Sequence, residues 1–279
     1  MKLSVALADR LAAGEPAVLV RILAAHGSTP REAGAAMMVT PDGSKGTIGG
    51  GALEMEAIRK ARSMIASGTA DGFMDVPLGP AIGQCCGGRV ELSLERLDAG
   101  VLDGVRRAEA AASGSAIPVL VFGAGHTGRA IALALQPLPF HVTVVDTRPQ
   151  LLAELHSDID SRAMPLPEQA VAAAPTQAAF LVVTHDHALD FHIAASALAR
   201  ADAAYVGMIG SATKRVRFNR HLEEAGLGGQ AMRLHLPIGG RQVRDKRPEV
   251  IAAMVAAELL VHFMGTDVEN PMHRLCTCP

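Results

Sequence analysis

Tryptophan is absent from the 279 residues, and Tyr205 is the only tyrosine. With so few stacking platforms and a formal net charge of −2, the chain lacks both marks of a nucleic-acid binder, the aromatic surface and the basic footprint. Charged residues are sparse, 19% against 49% apolar, which excludes a disordered chain and indicates globular cores. No long hydrophobic run stands out. Asp9 and Arg10 break the apolar character of Met1–Gly14, so it is not read as an export signal. Val250–Met264, the most apolar late stretch, contains Glu258 and His262 and falls short of a membrane span. Cysteine is limited to four residues, which together with the missing export signal points to a reducing compartment and free thiols. The expectation is a soluble, cytoplasmic protein of about two domains, with neither nucleic acid nor membrane as partner.

Two of the four cysteines stand side by side in Gly83-Gln84-Cys85-Cys86-Gly87-Gly88. Adjacent cysteines are poorly placed to bond each other. Consecutive Cα atoms lie about 3.8 Å apart, whereas a relaxed disulfide prefers roughly 4.4–6.8 Å. In extended backbone the two side chains point to opposite faces, one toward a pocket and one toward a core. The flanking glycines allow close approach of a ligand. An exposed thiolate there would hold a soft metal or attack an electrophile. The alternative is a buried pair acting as small apolar residues beside a turn.

The first third reads as a small α+β domain. Leu3–Ala13 has helical spacing, and the apolar run Ala17–Ala25 is a buried strand. It ends in the loop His26-Gly27-Ser28-Thr29-Pro30-Arg31. Ala35–Val39 is a second strand, Pro41-Asp42-Gly43 turns the chain, and Gly46-Thr47-Ile48 returns. Gly49, Gly50 and Gly51 then open a helix carrying Ile58, Ala61 and Ile65. Bare amides at its positive end suit an anion, unless Glu54 simply complements the dipole. Phe73–Val76 and Arg89–Leu94 are short strands on either side of the cysteine loop, and Asp98–Ala112 is helical. Ser113-Gly114-Ser115 marks a domain boundary, with domains at 1–114 and 115–265 and a tail at 266–279 carrying Cys276 and Cys278.

The second domain opens with strand Pro118–Phe122, the turn Gly123-Ala124-Gly125-His126-Thr127-Gly128 and a helix through Leu135. A further strand, Val142–Val145, ends in Asp146, 18 residues past Gly128. Strand, G-x-G-x-x-G turn, helix and a distal acid are the fingerprint of a Rossmann-like, doubly wound parallel sheet. Phe180–Thr184 and Ala203–Ile209 are later strands, Leu234–Gly240 is a last short strand and loop, and Pro248 begins a helix through Phe263. Gly123, Gly125, Gly128, Asp146, His185–His187 and Gly210-Ser211 with Lys214 all follow strand carboxyl ends, so one crevice should collect them. Ser211 and Lys214 would clamp a phosphate. His185 and His187 lack a well-placed third ligand and read as polar loop residues.

In order along the chain, Gly27-Ser28-Thr29-Pro30-Arg31, Gly46–Glu54, Gly83–Gly88, Gly123–Gly128 and Tyr205-Val206-Gly207-Met208-Ile209-Gly210-Ser211 resemble the xanthine dehydrogenase accessory protein family, XdhC. The resemblance covers nearly the whole chain. It implies a chaperone for the molybdenum cofactor (Mo-molybdopterin). Such a protein holds the cofactor while a cysteine desulfurase exchanges a molybdenum oxygen for sulfur, then passes it to the molybdenum subunit of apo xanthine dehydrogenase. It implies cofactor binding at Gln84, Cys85 and Cys86, with Cys85 or Cys86 approaching the metal. The phosphate or pterin end would sit at Gly49–Gly51 or Gly123–Gly128. Apart from the resemblance, the apolar helix Glu249–Phe263 reads as core or as a subunit contact, the second of which would give a homodimer.

Two other readings remain open on the residues. One is an NAD(P)-dependent oxidoreductase with a reactive cysteine, favoured by Asp146 as a ribose-binding acid. Against it, Tyr205 has Ile209 and not lysine four residues on. The other is a thiol-based metal store without pterin chemistry.

Overall fold

The computed structural model describes residues 2–79 and 87–265; Gln84, Cys85, Cys86, Cys276 and Cys278 lie outside them. The chain divides into two compact units, Met1–Gly114 and Ser115–Pro279.

Unit 1 is built on an antiparallel sheet of β1 (Val18–His26), β2 (Ala36–Val39), β3 (Ser44–Gly46), β4 (Asp71–Pro77) and β5 (Arg89–Arg96), in the order β3-β2-β1-β5-β4. The strand alternation sorts its side chains onto two faces. Val18, Val20 and Ile22 of β1, with Leu92 and Leu94 of β5, pack beneath α2 (Gly51–Ser67) through Leu53, Ala57, Ala61 and Met64. Leu19 and Met38 face the other way, onto Leu7 of α1 (Leu3–Ala12) and onto Leu102 and Val105 of α3 (Ala99–Gly114). The sheet is thus covered by α2 on one face and, at β1 and β2, by α1 and α3 on the other. The Pro41-Asp42-Gly43 turn closes β2 and β3, with the Thr40 amide donating to the Gly43 carbonyl at 2.9 Å.

Among the described residues unit 2 contains six parallel strands: β6 (Ile117–Phe122), β7 (Phe140–Asp146), β8 (Asp160–Ala163), β9 (Ala179–Val182), β10 (Tyr205–Met208) and β11 (Leu234–His235). Their order is β11-β10-β9-β6-β7-β8, so the chain winds outward from β6 in both directions and reverses between β6 and β9. This is the doubly wound Rossmann-like arrangement expected from the strand–turn–helix pattern. α4 (His126–Leu135), the single turn α5 (Pro149–Leu152) and α9 (Pro248–Met264) cover one face. The single turn α6 (Gln169–Ala172), α7 (His187–Ala199) and α8 (Ala212–Glu224) cover the other. The central strands are buried on both sides, hence their continuous apolar runs. Among the described residues no helix is long and apolar enough to cross a membrane.

In both units glycine permits backbone contacts that a side chain would block. A Cβ on Gly88 would fall on the Ser28 carbonyl oxygen, and one on Gly128 on the Gly123 carbonyl oxygen. Neither obstacle is a flexible side-chain end, so neither position can relax cheaply. Gly88→Ala is expected to destabilise unit 1, and Gly128→Ala unit 2, each by about 2–4 kcal/mol, measured by urea unfolding of the full chain.

Candidate functional site

Two of the N-terminal motifs and the Gly87-Gly88 end of a third meet at one end of the unit 1 sheet. β1 ends at His26, which pairs with Arg89 at the start of β5. The loop that follows lies between the other two motifs. Gly27 and Ser28 lie against Gly88, and the Pro30 ring packs on Gly49. Leu78 and Gly87-Gly88, which flank residues 80–86, are tied together. The Leu78 amide donates to the Gly88 carbonyl (2.7 Å), and the Gly87 amide to the Leu78 carbonyl (2.8 Å). An ion pair between Arg89 and Asp75 braces the same hairpin (Arg89 Nε to Oδ1, 2.6 Å) and holds the Asp75 carboxyl below its ordinary range. The two ends flanking residues 80–86 are therefore tied to each other, and Gly88 lies against Gly27 and Ser28, whereas Gln84, Cys85 and Cys86 themselves lie outside the described residues.

The amides at the start of α2 already have an acceptor. Glu54 Oε2 accepts from the Ile48 amide (3.2 Å), the Gly50 amide (3.1 Å) and the Thr47 hydroxyl (2.6 Å). The Gly49 amide donates to the Thr47 hydroxyl oxygen at 3.1 Å. Of the two arrangements that the sequence allowed for Gly49–Gly51, an anion cradle or a dipole complemented by Glu54, the second is the one formed. An incoming phosphate would have to displace this carboxylate.

In unit 2 the turn after β6 is open where the turn before α2 is filled. Gly123 (φ +114°) presses against Val183, where a Cβ would stand 2.6 Å from the carbonyl oxygen. A Cβ on Gly125, by contrast, would meet nothing within 4 Å. The first and third glycines thus serve close packing, and the second leaves the backbone accessible beside the N-terminus of α4. A cavity of about 410 Å³ adjoins it, lined by Gly125, His126, Arg129, Arg148, Thr184 and His185 among others. A wider basin of about 810 Å³ lies on the β10 side and shares Thr127 with the first. Gly210, Ser211, Gly239 and Gly240 form its walls. Ile209, Ile238 and Met254 supply apolar surface, and Arg241, Arg244 and Lys246 supply positive charge.

Asp146 sits at the carboxyl end of β7 and is 4% exposed. Its Oδ2 accepts from the Ala124 amide (2.6 Å) and Arg148 Nη2 (2.9 Å), and its Oδ1 from Arg148 N and Nε (both 2.9 Å). Burial by itself would raise the carboxyl pKa. The Arg148 guanidinium and the two amides outweigh it and hold the value at about 2, against an ordinary 3.8.

Lys214 and Ser211 take roles other than a phosphate clamp. The Lys214 ammonium is turned inward onto the carboxylate of Asp190, itself 0% exposed, and donates to the Ile209 carbonyl at 3.0 Å. Asp190 Oδ1 also accepts the Thr184 amide (3.0 Å) and hydroxyl (2.7 Å). This pair joins the ends of β9 and β10 to α7 and α8 and so shapes the crevice wall from within. Ser211 lines the basin and caps α8, its hydroxyl accepting from the Lys214 amide at 3.4 Å. Asp186 likewise caps α7, accepting from the Ala188 and Leu189 amides at 2.7 and 3.3 Å, which lowers its pKa. Among the described residues no group of three or more histidines, cysteines or carboxylates is arranged to hold a metal.

Comparison with known proteins accounts for both units. The family model described as the XdhC Rossmann domain matches residues 119–259, just over half of the chain, and that of the XdhC and CoxI family matches residues 10–76. The chain belongs to the XdhC family. The Escherichia coli (strain K12) protein described as "Uncharacterized protein YqeB" is 29% identical over 258 residues, covering 88% of this chain and 43% of that one. The XdhC chain therefore spans less than half the length of this curated relative. A Bacillus halodurans crystal structure described as a xanthine dehydrogenase superposes with a TM-score of 0.74 over 99% of this chain and all of that one. At 18% identity this is a likeness of fold.

Several residues of this XdhC crevice were not singled out in the sequence. Arg148 follows Asp146 by two positions, and a basic residue just past the distal acid is a signal that can be read in advance. The run Arg241–Arg247 holds four cations and one carboxylate in seven residues, a second legible signal. No sequence signal paired Asp190 with Lys214.

Two consequences are measurable. Lys214→Met leaves the Asp190 carboxylate buried without its cation and should cost about 3–5 kcal/mol. Adding Asp190→Asn, which still accepts from Thr184, should restore most of that loss in urea unfolding. Asp146, whose folded pKa is depressed, contributes stability that is complete above about pH 4 and is lost as the pH falls toward 2. The loss should be about 2 kcal/mol, seen as a fall in the unit 2 unfolding midpoint that Asp146→Asn no longer shows.

Proposed function

We propose that this XdhC chain is a maturation factor for xanthine dehydrogenase that carries the molybdenum cofactor and delivers it to the apo-enzyme's molybdenum subunit. The observation that carries the reading is the basin of unit 2, about 810 Å³ with apolar surface, glycine in its walls and a rim of Arg241, Arg244 and Lys246. A pterin with a terminal phosphate is a flat, partly apolar body with an anionic end, and a basin of this composition suits it. Asp245, the one carboxylate among the described residues lining the basin, is engaged by Arg247, with Nη2 to Oδ2 at 2.7 Å, so the rim keeps its positive character toward a guest. Family membership adds the thiol motif. In unit 1 the ends flanking the Cys85-Cys86 segment are tied together and Gly88 lies against the Gly27–Arg31 loop, which supports a role for one of these thiolates as a soft ligand to the cargo's molybdenum.

A cysteine desulfurase is the partner that this reading requires, since the cargo exchanges an oxygen for sulfur while held. The apolar face of α9 packs into the unit 2 core through Ala252, Val255 and Leu259, so a homodimer within the same proposal would use another surface. Direct oxidoreductase chemistry has no acid of the Tyr-x-x-x-Lys kind at the crevice. Tyr205 lies at the amino end of β10, stacked on His235 with ring centroids 4.3 Å apart, and the crevice lies at the carboxyl end.

The test is anaerobic purification of the full chain, with molybdenum and oxidised pterin quantified. Both should be present in comparable amounts, and either Cys85→Ser or Cys86→Ser should lower retention about tenfold or more. Metal without pterin, or retention unchanged in both variants, would overturn the proposal.

A further inference from the structure

We propose that the smaller cavity behind the glycine turn of unit 2 receives a nucleotide whose adenosine ribose carries a 2′-phosphate, of the NADP(H) class, and that Arg148 selects it. The inference goes beyond the maturation reading and does not rest on it, because cavity, ligand and readout all differ.

In a doubly wound sheet the residue ending the second strand meets the adenosine ribose. A free carboxylate there accepts from the 2′-hydroxyl, and an arginine nearby accommodates a 2′-phosphate. Asp146 occupies that position but is not free. A carboxylate offers about four acceptor sites, and Asp146 receives four donors: the Ala124 amide, the Arg148 amide, and Nε and Nη2 of Arg148. At 4% exposure it has little surface left for a ribose. A 2′-hydroxyl could reach it only by breaking a two-point ion pair and a bond that holds the glycine turn in place.

The same contacts prepare Arg148 as the receptor. Two of the five guanidinium N–H donors are engaged by Asp146, which fixes the plane of the group, and the other three remain. The side chain is 30% exposed and lines the 410 Å³ cavity. Among the described residues the cavity's lining includes no aspartate or glutamate, and the Asp146 carboxylate behind it is already paired with Arg148. Arg129 adds a second guanidinium, paired with Glu154, which is not among the lining residues. Leu151 and Val183 offer apolar surface for a base, and the open backbone at Gly125 beside the α4 N-terminus suits a pyrophosphate.

Titration of the full chain with NADPH and NADH, followed by the reduced nicotinamide fluorescence, tests this directly. NADPH should bind about tenfold or more tightly than NADH, the worth of one charge-assisted contact. In competition, 2′,5′-ADP should displace NADPH at lower concentration than 3′,5′-ADP, which separates a 2′-phosphate from the 3′-phosphate of coenzyme A-type nucleotides. Arg148→Gln should abolish the preference, bringing NADPH binding down to or below the level of NADH. Arg148→Lys should keep part of the preference, and it decides the matter with the wild-type competition if the glutamine variant does not fold. Equal or tighter NADH binding, no binding of either nucleotide, stronger competition by 3′,5′-ADP, or a preference that survives in folded Arg148→Gln would each overturn the proposal.

Discussion

The carboxylate of Asp146 ties the glycine turn after β6 to the segment that leaves β7. One oxygen holds the Ala124 amide at 2.6 Å, and both hold Arg148. Because the carboxylate is buried, each of these bonds acts in a medium where an unpaired charge would be costly, so the arrangement resists opening. The turn is thereby kept in the shape that leaves Gly125 accessible, and the guanidinium is kept at the cavity. A residue whose type and position suggest ligand binding serves instead as the brace on which the ligand-facing groups depend.

The two glycine-rich helix starts show how a local carboxylate decides whether such a turn can receive an anion. Before α2 the chain supplies its own anion, Glu54, which takes the Ile48 and Gly50 amides and the Thr47 hydroxyl. The first turn of α4 contains no acidic residue, and the backbone at Gly125 stays open. The helix dipole favours a negative group equally in both places. The difference lies in whether that group is covalently part of the helix. Unit 1 therefore contributes geometry, bringing the Gly27–Arg31 loop, the Gly46–Gly51 turn and Gly87-Gly88 into contact, and unit 2 contributes an unfilled, positively charged crevice.

The regular elements were legible wherever burial imprinted a period. The strands β1, β6, β7, β9 and β10 carry apolar runs because they are covered on both faces, and the amphipathic β5 shows its alternation plainly. β8 was not legible. Asp160-Ser161-Arg162-Ala163 is an edge strand with every residue exposed, so no core selects its side chains. The single turns α5 and α6 are too short to display a helical period. Among the site residues, the positions of Gly123, Gly125, Gly128 and Asp146 followed from their spacing. The bonding of Asp146 did not, because its carboxylate could face a ligand or the chain with the same sequence around it.

The order of strand, glycine turn, helix and distal acid by itself determined that residues 115–265 wind into a parallel sheet with a crevice at the strand carboxyl ends. The reason is that turn geometry and two-sided burial are local demands written in neighbouring residues. Only the tertiary structure decided which polar groups face that crevice. Lys214 turns to Asp190, 24 residues earlier, and Asp146 turns to Arg148 and Ala124, so neither presents its charge to a guest. A charged side chain takes whichever partner satisfies it at the least desolvation cost, and that partner is named by the packing of elements distant in the chain.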